Sequence, residues 1–223
     1  MAAILGTDQP DIVYLTLKEE HVSKAGKLLA DSFVHDEVLA QVVDIPYDER
    51  LEYDQENCRM SVDDGTSLVA IDNATAEIVG VLAGQILQGQ DYSQFDQEDL
   101  ECSVPNTALI LQAESLFFTS PDFRKNPECK ILNVFKLGVH KDYRRLGIAK
   151  KLVEMHEDIA RQKGCSWILA TPSGQASQNL YSKSGYLEIG EIFYRDFVFN
   201  VACVRRSRRR MPDTESSNIL MDK

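Results

Sequence analysis

Residues 131–170 constrain the chain most. An apolar run, ILNVFKLGV (131–139), ends at a charged corner, HKDYRRLG (140–147). A helix predicted over 147–163 then repeats Ile148, Leu152, Met155 and Ile159 at three- and four-residue spacing, and Gly164 supplies its C-terminal stop. SWILAT (166–171) follows as a short buried strand. A strand, a helix and a strand in this order make a parallel pair with a helical crossover. That unit places the chain among α/β proteins and leaves the flanking segments to complete its sheet.

The flanks read as strands more often than a doubly wound fold allows. DIVYLTL (11–17) is a strand, KEEHVSKAGKLLADSF (18–33) an amphipathic helix, and 48–62 a second helix. TSLVAI and EIVGVLAGQIL flank a turn at 72–76 and form an antiparallel hairpin. NTALILQAESLFFTS (106–120) is helical up to Pro121, ASQNLYSKS is a short helix closed by Gly185, and YLEIGEIFYRDF and VFNVACV (198–204) are the last two strands. The expected fold class is therefore α/β with a mixed, mostly antiparallel sheet. The expected layout is a loose tail over 1–11, one domain over 12–204, and a structureless tail over 205–223 that opens with five arginines in six positions.

Composition narrows the class further. The chain has 223 residues, 43% of them hydrophobic, which suits one domain. No apolar run approaches the roughly 20 residues of a membrane span, and residues 1–11 show no secretory pattern. The five cysteines are scattered, so neither a disulfide framework nor a metal site is expected, and a cytoplasmic, reducing location is. Residues 1–100 carry 5 Lys and Arg against 21 Asp and Glu, net −16. The remainder carries 19 against 14, net +5. Such a split either attracts a cation to one half and an anion to the other or is a solvated surface.

The corner at 139–149 has the chemistry of an anion site. A helix N-terminus offers unpaired N–H groups and the positive end of a dipole. Arg144 and Arg145 add charged donors, and Gly147 lets the backbone come close to a bulky phosphate. The alternative is an ordinary helix start with basic residues in solvent. Arg144-Arg145-Leu146-Gly147-Ile148-Ala149 resembles the [RQ]-x-x-G-x-[GA] pyrophosphate motif of the GNAT acyl-CoA N-acyltransferases. About 35 residues on, LYSKSGY (180–186) resembles that family's L-Y-x-K-x-G-[FY]. The resemblance implies a single-domain GNAT fold with a splayed parallel β-α-β acyl-CoA site. It implies that the backbone of Leu137, Gly138 and Val139 holds the pantetheine arm of acetyl-CoA. Arg144, Arg145, Leu146, Gly147, Ile148 and Ala149 would cradle the pyrophosphate, and Tyr181 would protonate the departing thiolate. Gly174 and Ser177 depart from the Asn and Ala usual before that tyrosine.

The acceptor side rests on shorter matches. HDEVL (35–39) resembles the D-E-P-L element of insect-type arylalkylamine N-acetyltransferases, with Val38 in the proline's place, and GYLEIGEIFYRDF resembles their E-I-x-Y-x-D-[YF]. By that resemblance Glu37 is the general base, and the acceptor is a small primary amine of the dopamine or serotonin class. Apart from the resemblance, Asp36 and Glu37 also read as a solvated pair at a helix junction. Ser177 and Ser182 are candidates to hydrogen-bond the amine or the thiolate, and Ser182 also reads as solvent-facing. His140 and His35 are further candidates near the site. Polyamine or protein N-acetylation keeps the cofactor site and changes only the acceptor, and a non-catalytic acyl-CoA-binding module is a third reading. A monomer with no metal, nucleic-acid or integral-membrane partner is expected.

Overall fold

Two apolar strands joined by a helix seed the middle of the sheet, and the flanking strands extend it on both sides. The computed structural model describes residues 10–36, 45–93, 105–196 and 216–222. In chain order they form β1 (Ile12–Thr16), α1 (Val22–Asp36), α2 (Tyr47–Met60), β2 (Leu68–Asp72) and β3 (Glu77–Gln88). Then come α3 (Pro105–Phe118), α4 (Pro121–Lys125), β4 (Lys130–Val139), α5 (Ile148–Lys163), β5 (Trp167–Ala170), α6 (Gln175–Lys183), β6 (Leu187–Phe193) and β7 (Ser216–Asp222). The sheet order is β1-β2-β3-β4-β5-β7-β6. Among the described strands only β4 and β5 pair in parallel; every other neighbouring pair is antiparallel. This is the mixed, mostly antiparallel α/β sheet that the element order predicts. Among the described residues no helix is long and apolar enough to cross a membrane.

Alternation along the strands assigns the helices to faces. Leu132 and Val134 of β4 pack with Ile148, Leu152 and Val153 of α5 and with Tyr181 of α6. Ile131, on the opposite face, packs with Ala113 and Phe117 of α3. Val81 of β3 shares that opposite face and packs with Ala25 and Leu29 of α1 and Cys58 of α2. Each fully buried leucine here contributes roughly 1.5–3 kcal/mol. Ion pairs on the outer surfaces, such as Lys27–Asp31 at 2.6 Å, add little by comparison.

The last strand corrects the expected layout. Residues 198–204, expected as that strand, lie outside the described residues. The strand that fills the place is Ser216–Asp222, inside the segment expected to be a structureless tail. It runs antiparallel between β5 and β6, with Leu169 opposite Met221 and Phe193 opposite Ser216. Its only apolar run is Ile219-Leu220-Met221, shortly after the arginine-rich stretch, too short to stand out as a pattern. Backbone pairing on both edges supplies what the side-chain pattern does not.

One close approach in the core makes a pH-dependent element. A Cβ at Gly84 would lie 2.8 Å from the Asn133 carbonyl oxygen and 2.8 Å from His156 Nε2, so only glycine fits under this ring. His156 is buried, and neither ring nitrogen has a hydrogen-bond partner among the described residues. Burial alone pushes its pKa down to about 3. The neutral ring is the folded form, so its contribution to stability is complete above pH 6.5 and is lost as pH falls toward 3. We expect the wild-type protein to lose on the order of 2 kcal/mol through this group between pH 7 and pH 4.5. The His156→Leu variant should show a correspondingly flatter acid limb in thermal melts over that range.

Candidate active site

The parallel pairing of β4 with β5 is short. It runs from Ile131↔Trp167 to Val134↔Ala170 and stops, whereas β4 continues to Val139. β4 stays paired with β3 along its other edge, through Leu82↔Leu137 and Gly80↔Val139. The register slips by one residue where Ala83 faces Lys136 and Gly84 faces Val134, which makes Phe135 the extra residue of a bulge. The strands thus part at the bulge, and residues 135–139 present an edge that β5 does not cover. Leu137, Gly138 and Val139, expected to hold an extended ligand through their backbone, lie on that edge. Gly138 also sits directly under α1: a Cβ there would come within 3.0 Å of Leu29 Cδ2.

The edge leads into the charged corner. Lys141–Tyr143 form one 3-10 turn, which His140 Nδ1 caps by accepting from the Asp142 N–H at 3.4 Å. His140 is therefore engaged in the turn. Arg145 (φ 64°) and Gly147 (φ 82°) both adopt left-handed backbone, which costs about 1 kcal/mol at a non-glycine residue. α5 starts at Ile148 with no side-chain cap and no acidic residue in its first turn. Its first N–H groups consequently face outward with the dipole's positive end. A Cβ at Gly147 would meet nothing within 4 Å, so the space in front of this helix end is open. Arg144, Arg145 and Leu146 are exposed and Ala149 is half-buried. Ile148 differs: its side chain is a core residue against Gly80, so only its backbone is available to a ligand. Arg144 Nε donates to the Val139 carbonyl at 3.3 Å, which ties the arginine to the edge. The arrangement suits a long ligand with a polyanionic end.

One tie holds the corner in place. The Tyr143 hydroxyl donates to Asp72 Oδ2 at 2.6 Å, and Asp72 Oδ1 accepts from the Ala74 N–H at 2.9 Å. Those bonds, the Tyr143 bond first, hold the Asp72 carboxyl below the usual carboxylate range. The β2–β3 turn and the β4–α5 corner, 71 residues apart in sequence, become one unit.

The other predicted residues divide. Tyr181 on α6 is buried against Tyr186, with ring centroids 4.9 Å apart, and its hydroxyl has no partner among the described residues. Burial, then the charge of Glu157, raises its pKa, so it stays protonated. Ser177 Oγ donates to the Gly174 carbonyl at 2.8 Å and serves the start of α6. Ser182 is exposed on α6, which is its solvent-facing reading. Glu37 lies outside the described residues, as do the side chains of His35 and Asp36. Cys58 is buried, and burial followed by the charge of Asp54 pushes its thiol up to about 12. It is no nucleophile at neutral pH.

Two polar groups escaped the sequence reading. Asp54 of α2 is fully buried between Arg50, at 2.8 Å, and Lys136 of β4, at 3.3 Å. Both cations also lie over the Phe33 ring, 4.8 and 4.3 Å from its centroid. Beyond the bulge, Asn133 of β4 donates to Glu114 of α3 at 3.0 Å. Asn133 and Lys136 are the polar interruptions in the otherwise apolar ILNVFKLGV, and that was the available signal.

Comparison with known proteins identifies the family and the fold. The family model described as "Acetyltransferase (GNAT) family" matches residues 29–186. No curated protein matches the sequence. Among solved structures, arylalkylamine N-acetyltransferase 2 from Aedes aegypti is similar at 24% identity, with a TM-score of 0.75 over 95% of this chain and 98% of that one. The Drosophila melanogaster polyamine N-acetyltransferase, which forms N-acetylagmatine, is similar at 19% identity, TM-score 0.71, over 95% and 99%. The C-terminal condensation domain of Ebony, solved with β-alanyl-dopamine, is similar at 17%, TM-score 0.71, over 96% and 99%.

The tie between Asp72 and Tyr143 makes the corner testable. Tyr143→Phe should weaken coenzyme A binding about fivefold, the effect of one hydrogen bond, without changing the fold. Calorimetric titration of coenzyme A and a circular dichroism spectrum together check this.

Proposed function

The chain belongs to the GNAT family and is an N-acetyltransferase, and on that premise we propose that its acceptor is an arylalkylamine, of the tryptamine, serotonin, dopamine or octopamine type. The observation that carries the donor side is the β4 edge at 135–139, which no described strand covers on the β5 side and which ends at the uncapped start of α5. The family uses acetyl-CoA, and this edge and corner suit its arm and its pyrophosphate. Support for the acceptor comes from the HDEVL and EIFYRDF elements and from likeness to arylalkylamine enzymes. The unpaired cysteines Cys58, Cys129 and Cys165 fit a reducing, cytoplasmic setting.

The chemistry is direct transfer. An alkylamine has a pKa near ~10, so at pH 7 only about one molecule in 10³ is neutral, a cost of roughly 4–5 kcal/mol. Glu37 accepts the amine's proton, through water or directly. The nitrogen's lone pair forms the C–N bond at the thioester carbonyl, an N–H beside Val139 steadies the oxyanion, and the C–S bond breaks. Tyr181 gives its proton to the thiolate; its unengaged hydroxyl and raised pKa suit a group that arrives at this step still protonated. A polyamine acceptor is the second reading, favoured by the net −16 of residues 1–100 and by the likeness to a polyamine N-acetyltransferase.

Thiol release from acetyl-CoA against tryptamine, serotonin, dopamine, octopamine, spermidine and a lysine peptide decides the acceptor. Preference for the aromatic amines is the expected result; turnover of spermidine or peptide alone would replace it with the second reading or with protein acetylation. Gly147→Glu places a carboxylate where the pyrophosphate belongs and should weaken acetyl-CoA binding by at least about a hundredfold. Unaltered affinity would remove the corner from the donor site. Glu37→Ala should lower turnover most at neutral pH and less at pH 9–10, where more of the amine is already neutral. A loss that is the same at every pH would take Glu37 out of the base role.

A further inference from the structure

The α3-facing side of β4 carries a polar pair that the roles above leave unused. Asn133 stands one residue before the last parallel pair of β4 with β5, where the strands part. It is 5% exposed. Its Nδ2 donates to Glu114 Oε1 at 3.0 Å, while its Oδ1 is buried and has no donor among the described residues. A buried carbonyl left without a donor is costly, so the place calls for one. A carboxyl and an amide oxygen side by side are acceptors, and a primary ammonium, with three N–H donors and a positive charge, matches them.

Position supports the match. The edge of β4 that β5 leaves uncovered runs from the α5 corner back to the place where β4 leaves β5, next to Asn133. On this face the pair also interrupts the apolar packing, between Leu29 and Val81 on one side and Phe117 and Ile131 on the other. Tyr92 is close enough to Glu114 for the carboxylate's charge to help raise its pKa, and Tyr92 stacks on Phe118 with centroids 4.2 Å apart. An aromatic pair beside an ammonium seat fits an amine that carries a ring.

We propose that Glu114, held by Asn133, is the residue that binds and orients the acceptor's ammonium group before transfer. The proposal rests on the acetyl-CoA:amine reading above and names its acceptor subsite. Glu37 keeps the proton-accepting role, and Glu114 acts on binding. Burial pushes the Glu114 carboxyl up to about 7, against the lowering effect of the Asn133 bond. The acceptor's amine, near ~10, stays cationic through this range, so a change near pH 7 reports the carboxyl. The charged and titratable groups on the elements around it are Asp91 and Tyr92 before α3, Asp122, Arg124 and Lys125 on α4, Lys130 and Lys136 on β4, and Glu188 and Glu191 on β6. Of these, Tyr92 has its pKa raised in part by the Glu114 charge, after burial, and Lys136 is paired with Asp54.

The test uses the full chain, E114Q and E114D, with tryptamine and acetyl-CoA from pH 6 to 8.5. In the wild type the KM for tryptamine should fall about tenfold across that range, as the carboxylate forms. In E114Q it should be raised about tenfold at pH 8 and be nearly independent of pH, while kcat and the KM for acetyl-CoA stay within about twofold. E114D keeps a carboxyl and should recover part of the pH dependence, and thermal melts of both variants confirm folding. An E114Q enzyme with the wild-type tryptamine KM and pH profile overturns this inference alone. If E114Q does not fold, an E114D profile that follows the wild type without any shift overturns it as well. A wild-type protein that acetylates no amine overturns the acetyl-CoA:amine reading and this subsite with it.

Discussion

Everything at the site depends on where β4 stops pairing with β5. Four residue pairs hold the two strands together, from Ile131↔Trp167 to Val134↔Ala170. The bulge at Phe135 then turns β4 away while β3 keeps its other edge satisfied. An edge that no described strand covers needs water, a side chain or a ligand to take its N–H and C=O groups. Here it opens beside a helix start that has neither cap nor acid in its first turn. The proposed donor site is thus built from backbone, and the side chains' task there is to hold that backbone in place. The bond from Tyr143 to Asp72 and the packing of Ile148 against Gly80 do so from below.

The face of β4 turned toward α1, α2 and α3 has a different economy. Two apolar clusters occupy its ends, and polar groups occupy its middle. Asp54 with Arg50 and Lys136 is a buried ion cluster in which loss of one partner costs far more than the cluster contributes. Glu114 and His156, on opposite faces of the sheet, respond to pH with opposite signs. His156 favours folding when neutral, so its contribution is lost toward low pH. Glu114, with its folded pKa raised, contributes most when protonated, and that contribution is lost as pH rises through about 7. Both groups are held buried at a cost in stability.

Much of the fold was legible because its elements are strongly periodic. The repeat of Ile148, Leu152, Met155 and Ile159, with glycine at each end, locates α5 to within a residue. The turn at 72–76 locates the β2–β3 hairpin, and Asp72 pairs with Glu77 across it. The final strand was not legible, since its three apolar residues carry no pattern and its partners lie far away in sequence. α2 shows the converse. Its buried face is Arg50, Asp54, Asn57 and Cys58, so an apolar stripe could not have revealed which side faces inward.

The sequence by itself determined the parallel unit, the charged corner and the order of the two motifs, because each depends on residues near one another in the chain. Gly147 with Arg144 and Arg145 is such a case: the backbone angle, the charges and the helix start are all local. Only the tertiary structure decided which polar residues meet. Glu114 and Asn133 are 19 positions apart, Asp72 and Tyr143 are 71 apart, and Lys136 reaches Asp54 on a helix far earlier in the chain. A residue's burial and its partners come from the packing of whole elements, and these set a carboxyl's pKa and an amide's unmet need. No local pattern of residue types encodes them.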